Sequence, residues 1–126
     1  GDHRDLHSFP HDALPIYEMK LANRIKLNSL FDLYGILLTE KQREFYAQHY
    51  LFDLSLGEIA ENCQVSRQAV HDLLRRTIAQ LKYYEESLHL LAKDDDRQKL
   101  LGELDAALED RDYRWAREIT EKLKNI

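Results

Sequence analysis

Residues 55–76 read SLGEIAENCQVSRQAVHDLLRR and predict two short helices joined by a tight turn. Ser55 and Glu58 have the spacing of a capping box, in which each side chain satisfies the backbone N–H of the other, so the first helix begins there. Ser66 is placed to cap the second helix. Apolar residues fall where two such helices must contact each other. The pattern predicts a helix-turn-helix unit.

The turn between these helices, residues 62–65, contains no glycine. Glycine is usual in such a turn because it adopts the left-handed backbone conformation without steric cost. Either Gln64 adopts that conformation under strain, or the turn has a different geometry. A plain helical hairpin without a ligand is the alternative interpretation of the whole segment.

The second helix of this unit carries the candidate nucleic-acid-binding residues on its outer face. The Ser66 cap would offer backbone N–H groups to a phosphate. Arg67 and Gln68 have donors that suit base edges, and the following polar side chains would hold the nucleic-acid backbone. The complete predicted set is Ser66, Arg67, Gln68, His71, Arg75 and Arg76.

Composition favours one small all-α protein. The chain has 126 residues, 44% of them hydrophobic, with only 4 glycines and 2 prolines. No apolar run approaches the length of a membrane span, and no secretory segment is visible near the start. The single cysteine, Cys63, excludes an internal disulfide and a cysteine-rich zinc site. We therefore expect a cytoplasmic protein with no membrane contact, no metal and no cofactor.

The charge is unevenly distributed. The formal net charge is −5, yet residues 66–82 carry four basic residues against one aspartate and are locally +3. The remainder is then −8 and would repel phosphate outside the docking face. Weak nucleic-acid binding by a monomer is the expected result.

Three segments are predicted along the chain: a non-native or disordered leader (1–18), a helix-turn-helix domain (19–92) and a C-terminal helical hairpin (93–126). Three histidines of the leader, His3, His7 and His11, are four residues apart, but Pro10 argues against the helix that would make them a metal site. The first helix is predicted from Lys20 to Leu38.

The second helix is predicted to begin at Thr39, with Gln42 as its capping-box partner. Its aromatic stripe could stack on bases but is more typical of a core. The stripe consists of Phe45, Tyr46, His49 and Tyr50.

The fourth helix of the chain is the one that Ser66 caps, the second helix of the helix-turn-helix unit. It is predicted to continue through a heptad pattern without a break until Asp94. This seam either packs on the chain's own helices or pairs with a second copy, and both remain open. The seam is Val70, Leu74, Thr77, Leu81, Tyr84, Leu88 and Leu91; a homodimer would use Val70, Leu74, Leu81, Leu88 and Leu91. Residues 94–96 are predicted to link this helix to the hairpin, in which Trp115 is an interface anchor or an ordinary packing residue.

Enzymatic activity is not expected. The chain has no glycine-rich phosphate loop. Ser66, His71 and Asp72 are the residue types of a hydrolase triad, but they share one helix and cannot form its relay.

Three stretches resemble the YlxM family of small bacterial proteins: LNSLFDLYGILLTEKQ (27–42), DLSLGEIAENCQVSRQAVHDLLRRT (53–77) and YYEESLHLL (83–91). The resemblance covers roughly residues 23–91, with His71 at a position where the family usually has tyrosine. It implies a fold akin to region 4 of sigma factors, with Ser66, Arg67, Gln68 and Ala69 at the start of the recognition helix. It also implies an association with the signal recognition particle and a role in the GTPase cycle of that particle.

The sequence thus predicts an all-α fold: a sigma region 4-like helix-turn-helix with a long fourth helix and a C-terminal helical hairpin. The predicted function is regulation in the signal recognition particle pathway, through binding of DNA or of the particle's RNA. The alternative is a protein-protein interaction module that binds the particle's GTPase, with nucleic-acid binding weak or lost.

Overall fold

The computed structural model describes residues 16–126, which form six α-helices with a 3-10 turn and a π-helical turn and contain no strand. The helices are α1 (Ile16–Tyr34), α2 (Glu40–Tyr46), α3 (Leu56–Cys63), α4 (Arg67–Leu88), α5 (Leu90–Glu109) and α6 (Tyr113–Lys124). The 3-10 turn (Gly35–Leu37) follows α1, and the π-helical turn (Ala47–Leu51) follows α2. The predicted all-α fold is confirmed. The leader up to residue 15, with its three histidines, lies outside the described residues.

Two capping boxes start α2 and α3, as the sequence predicts. The Thr39 hydroxyl accepts from the Gln42 N–H at 3.1 Å, and the Thr39 N–H donates to the Gln42 side chain at 2.9 Å. Ser55 and Glu58 repeat this pattern at 3.1 and 3.0 Å. Hydrogen bonding from the backbone N–H and then the side chain of Ser55 holds the pKa of the Glu58 carboxyl below its ordinary value. Both helices therefore begin where local chemistry satisfies their first N–H groups.

The helix-turn-helix unit is built around a cluster of side chains from α2, α3 and α4. Its buried members are Phe45, Ile59, Ala60, Val70 and Leu74. Ile59 and Val70 are completely buried, and Ala60 contributes a small buried side chain. This cluster fixes α3 against α4, so the outer face of α4 is presented by a packed scaffold.

A second cluster joins α1 to α2 and α4. It contains Leu27, Leu30, Tyr34, Leu38, Tyr46 and Leu81. The Tyr46 ring is stacked between Phe31 and Tyr50, with ring centroids 4.2 and 4.7 Å away, and its hydroxyl donates to Asn28 Oδ1 at 2.6 Å. Burial raises the pKa of Tyr46. Phe45 and Tyr46 of the aromatic stripe are thus core residues and cannot stack on bases.

The fourth helix ends earlier than predicted. His89 adopts a left-handed conformation (φ 56°), and α5 starts at the next residue, so residues 94–96 lie inside a helix and do not form a linker. The prediction of a continuous helix to Leu91 is wrong. The boundary drawn between residues 92 and 93 falls within α5, and the division into two folding units stays a prediction.

The joint between α4 and α5 is held by a contact from α1. Tyr34 Oη donates to Glu85 at 2.7 Å and accepts from the Leu90 N–H at 3.1 Å. The Glu85 carboxylate accepts from the N–H groups of Leu91 and Ala92 at 2.9 and 3.1 Å. Tyr34 from α1 and Glu85 from the last turn of α4 therefore cap α5, which explains why the helix can restart although the side chain of His89 makes no capping hydrogen bond.

The heptad seam packs on the chain's own helices. Val70, Leu74 and Leu81 are buried members of the two clusters described above, and Leu91 packs against the second one. Thr77 is also buried. Of the two alternatives for this seam, packing on the chain's own helices is therefore the one that the structure supports, and of the residues named for a homodimer only Leu88 is exposed.

Helices α5 and α6 form the predicted antiparallel hairpin. Its buried residues are Ala107, Ala116 and Ile119, surrounded by Leu100, Leu104 and Leu123. Asp112 caps α6 by accepting from the Trp115 N–H at 3.1 Å. Trp115 itself is 36% exposed and does not belong to this small core.

Candidate nucleic-acid interface

The turn between α3 and α4 depends on Gln64. Its backbone is left-handed (φ 57°, ψ 47°), and the following Val65 N–H donates to the Ala60 carbonyl at 3.0 Å. This is the strained alternative considered from the sequence, and it is confirmed. A left-handed residue other than glycine costs about 1 kcal/mol or more, so the fold holds this turn against an intrinsic preference.

Ser66 caps α4 as predicted. Its hydroxyl accepts from the Ala69 N–H at 3.0 Å. The N–H groups of Arg67 and Gln68, in the first turn, have no partner within the helix. The exposed start of α4 therefore presents backbone donors together with the Arg67 side chain.

All six predicted site residues are exposed: Ser66, Arg67, Gln68, His71, Arg75 and Arg76. Arg67, His71 and Arg75 recur every four residues and form one row along the outer face of α4. Arg76 lies further round the helix, beside α2. We call Arg67, Gln68, His71, Arg75 and Arg76 the α4 ridge. The fold thus brings these predicted residues together on one surface.

The arginines of the α4 ridge take part in no ion pair with the side chains of residues 20–126. Asp72 lies beside them and engages the two other ridge residues. Gln68 Nε2 donates to Asp72 Oδ1 at 3.0 Å, and His71 Nδ1 is 3.6 Å from the same oxygen. This hydrogen bond uses one of the two Nε2 hydrogens of Gln68, so the other hydrogen and the amide oxygen remain for another group.

Lys41 was missed by the sequence analysis. It is exposed on α2 and shares a groove with Arg76 and Asp72 of α4, while its Nζ lies 5.7 Å from the centroid of the Phe45 ring. The groove places a sixth basic or polar side chain beside the α4 ridge. Nothing in the sequence marks this residue, because it precedes the helix-turn-helix motif.

The sequence analysis also missed Arg24 of α1, which holds the segment that leads into α3. Its guanidinium donates to the Tyr50 carbonyl at 2.7 Å and to the His49 carbonyl at 3.3 Å, and it pairs with Asp53. The carbonyls belong to the π-helical turn that leads into α3. Asp53 is left-handed (φ 60°), so Arg24 fixes an irregular connection just before the Ser55 cap.

The residue types of a hydrolase triad do not assemble into one. The Ser66 hydroxyl accepts a helix-capping hydrogen bond from the Ala69 N–H. His71 lies more than one turn further along the helix, where its Nδ1 is 3.6 Å from Asp72 Oδ1. Among residues 16–126, no group of three acidic, histidine or cysteine side chains could hold a metal ion. Helices long and apolar enough to cross a membrane are also absent from this part of the chain.

Comparison with known proteins gives one consistent result. Residues 21–125 match the UPF0122 family, described as "Putative helix-turn-helix protein, YlxM / p13 like". The match extends beyond residues 23–91, where the sequence resemblance was placed, and includes the hairpin.

Known relatives match this chain over most of their own length. The chain is 53% identical to a UPF0122 protein of Shouchella clausii over 88 residues, which are 70% of this chain and 81% of the relative. It is 44% identical to a UPF0122 protein of Bacillus cereus (strain AH187) over 106 residues, or 84% and 92% of the two chains. The chain belongs to the UPF0122 family of YlxM/p13-like helix-turn-helix proteins.

Proposed function

We propose that this protein is a non-enzymatic, cytoplasmic regulator that binds nucleic acid through the α4 ridge and acts in the signal recognition particle pathway. The observation that carries the proposal is the exposure of Arg67, Arg75 and Arg76 on a helix-turn-helix, without ion pairs to neighbouring described residues. Arginines tied up by the fold could not neutralise phosphates, whereas these three can.

The ridge residues and their two neighbours, Ser66 and Lys41, each have a proposed role. Ser66 positions the first-turn N–H groups of α4 toward a phosphate. Arg67 and Gln68 contact base edges, Gln68 through the amide atoms that Asp72 leaves free. His71, Arg75 and Arg76 hold the backbone, and Lys41 adds a contact from α2.

Double-stranded DNA fits this surface better than an RNA helix. A recognition helix enters the wide major groove of B-DNA. The A-form major groove is deep and narrow, so the RNA of the particle would have to present a loop or an unpaired segment. The association with the particle is supported by the family resemblance and not by the geometry of the ridge.

The test is the affinity of the whole protein for duplex DNA and for the particle's RNA at several salt concentrations. The double variant Arg67→Ala/Arg75→Ala should bind much more weakly, with a salt dependence reduced by about 0.9 log units per log unit of salt for each lost phosphate contact on B-DNA. Arg114→Ala removes an exposed arginine from α6 and serves as the matched control. Unchanged affinity of the double variant for both nucleic acids would show the proposal to be wrong.

A second function is favoured by the charge distribution. Asp72 accepts a hydrogen bond from Gln68 of the ridge, and the chain outside residues 66–82 carries a net charge of −8. Such a protein would bind the basic surface of a protein partner more readily than phosphate, and the GTPase of the particle is the proposed partner. Calorimetry with the purified GTPase distinguishes the two functions, because Arg67→Ala should leave that complex intact.

A further inference from the structure

The C-terminal hairpin exposes large apolar side chains on one face. Leu101 and Leu108 are two helical turns apart on α5 and are 40% and 49% exposed. Leu104 lies between them, and Tyr113 at the start of α6 is 65% exposed. Leu104, Leu108 and Tyr113 line a common groove between the two helices. We call Leu101, Leu104, Leu108 and Tyr113 the hairpin strip.

The hairpin has little internal packing, so further burial of the hairpin strip would add to its stability. Its buried core is two alanines and one isoleucine, Ala107, Ala116 and Ile119. Helix α6 has 12 residues, a length at which an isolated helix is marginally stable. Exposed apolar side chains at helical spacing beside so small a core are typical of an interaction surface.

The two helices of the hairpin carry opposite net charges. Helix α5 has six acidic and three basic residues, a net −3, whereas α6 has four basic and two acidic residues, a net +2. The difference persists beside the strip. Asp105 is exposed four residues after Leu101. The α6 side of the groove is lined by Arg117 and by Lys124, which pairs with Glu121 at 3.2 Å, so Arg117 supplies the net positive charge there. Asp105 and Arg117 form no ion pair within the described residues.

This charge pattern favours a second copy of the chain as the partner. Two hairpins can stack about a twofold axis with α5 on α5 of the partner, which brings −3 against −3. They can also stack with α5 on α6 of the partner, which brings −3 against +2 at both contacts. The second arrangement is self-complementary, as a closed dimer requires.

We propose that the hairpin strip is a homodimer interface, in which each α5 packs on the partner's α6 to form an antiparallel four-helix bundle. This interface differs from the heptad seam of α4, whose residues are buried within one chain. It does not depend on nucleic-acid binding. A twofold pair would nevertheless present two α4 ridges, the arrangement with which helix-turn-helix dimers contact paired half-sites.

Sedimentation of the full chain across a wide concentration range tests the proposal. We expect a monomer–dimer equilibrium that Leu108→Asp weakens at least about tenfold, because the dimer would bury an unpaired carboxylate twice. Ile36→Asp changes a side chain that is 84% exposed far from the hairpin in sequence, and it should leave the equilibrium unchanged. Both positions are exposed in the single chain, so circular dichroism should show native helix content in both variants.

A charge exchange tests the arrangement of the helices. Asp105→Arg and Arg117→Asp should each weaken the dimer severalfold, and the double variant should restore it, because the opposite charges meet again across the interface. A monomer at every concentration would overturn the proposal, as would equal weakening by Ile36→Asp and Leu108→Asp. Failure of the double variant to recover would overturn the stacking of α5 on the partner's α6.

Discussion

The helix-turn-helix unit and the hairpin are both helical and charged outside, yet they are stabilised differently. In the first, eleven buried side chains, ten of them from α1–α4 and one, Leu38, from just before α2, form two adjoining clusters. In the second, three small or medium side chains are buried between neighbouring helices. Long-range packing holds the α4 ridge in position, whereas the hairpin is held by local contacts and by the joint at Glu85. The rigid part of the molecule therefore carries the candidate binding surface.

The largest expected effects come from shortening one buried isoleucine in each core, which tests whether the two regions are stabilised differently. Ile59→Ala should lower the free energy of unfolding of the whole chain by about 2–5 kcal/mol, because Ile59 is completely buried between α3 and α4. Ile119→Ala removes the same atoms from the hairpin and should open α5 and α6 locally. Hydrogen exchange measures both effects amide by amide.

The outcome decides whether the chain has two folding units. Faster exchange confined to residues near α6 in Ile119→Ala would support two units. Equal acceleration throughout α1–α4 would show instead that the hairpin and the helix-turn-helix unfold together. Ile36→Ala, at an exposed position, provides the baseline and should change stability by less than about 0.5 kcal/mol.

The joint between the two regions should respond to acid. Burial raises the pKa of the Glu85 carboxyl, but hydrogen bonds from Tyr34 Oη and the N–H groups of Leu91 and Ala92 outweigh it and hold the pKa below its ordinary value. A carboxyl with a lowered pKa in the folded state contributes stability above its unfolded pKa and loses it as the pH falls through the folded value. The joint should therefore be intact at neutral pH and should loosen below pH 4.5, the ordinary value of the group.

NMR chemical shifts of the Leu91 and Ala92 amides, followed from neutral to acidic pH, measure this transition. Glu85→Gln should abolish the transition and weaken the cap by about 1–2 kcal/mol, since hydrogen bonds to a charged acceptor are replaced by neutral ones. Glu86→Gln alters the exposed neighbour and should preserve it. An unchanged transition in Glu85→Gln would assign the acid response to another group.

The smallest expected effect concerns the turn of the helix-turn-helix. Gln64→Gly should raise the stability by up to about 1 kcal/mol, because glycine adopts the left-handed conformation of this residue without strain. Gln68→Gly places the same change inside α4 and should lower the stability by about as much. Thermal unfolding compares the two variants directly. A loss of stability in Gln64→Gly would mean that the glutamine side chain contributes more than its backbone costs.

Local chemistry made the helix starts predictable. Thr39, Ser55 and Ser66 each satisfy N–H groups within three residues, so the sequence contains the whole interaction. Exposure of the α4 ridge was predictable for the same reason, because helical periodicity separates it from Val70 and Leu74.

The errors have one physical origin. The break at His89 depends on Tyr34, which lies more than fifty residues earlier in the chain and caps α5 together with Glu85. The heptad pattern of α4 did not show which surface covers its apolar face, because apolar side chains pack equally well on another chain or on α1. The contacts of Arg24 with the π-helical turn likewise join residues about 25 positions apart. Sequence periodicity identifies an apolar face but not what covers it.

The junction at His89 limits how the chain length can vary. Helices α4 and α5 are separated by this single residue, so no loop can absorb an inserted amino acid. One extra residue in the first turn of α5 would rotate every later side chain of that helix by about 100° and advance it by about 1.5 Å. The hairpin strip would then point in another direction relative to the α4 ridge. Homologous chains that keep both surfaces should therefore tolerate insertions near Arg111 far better than near Leu90.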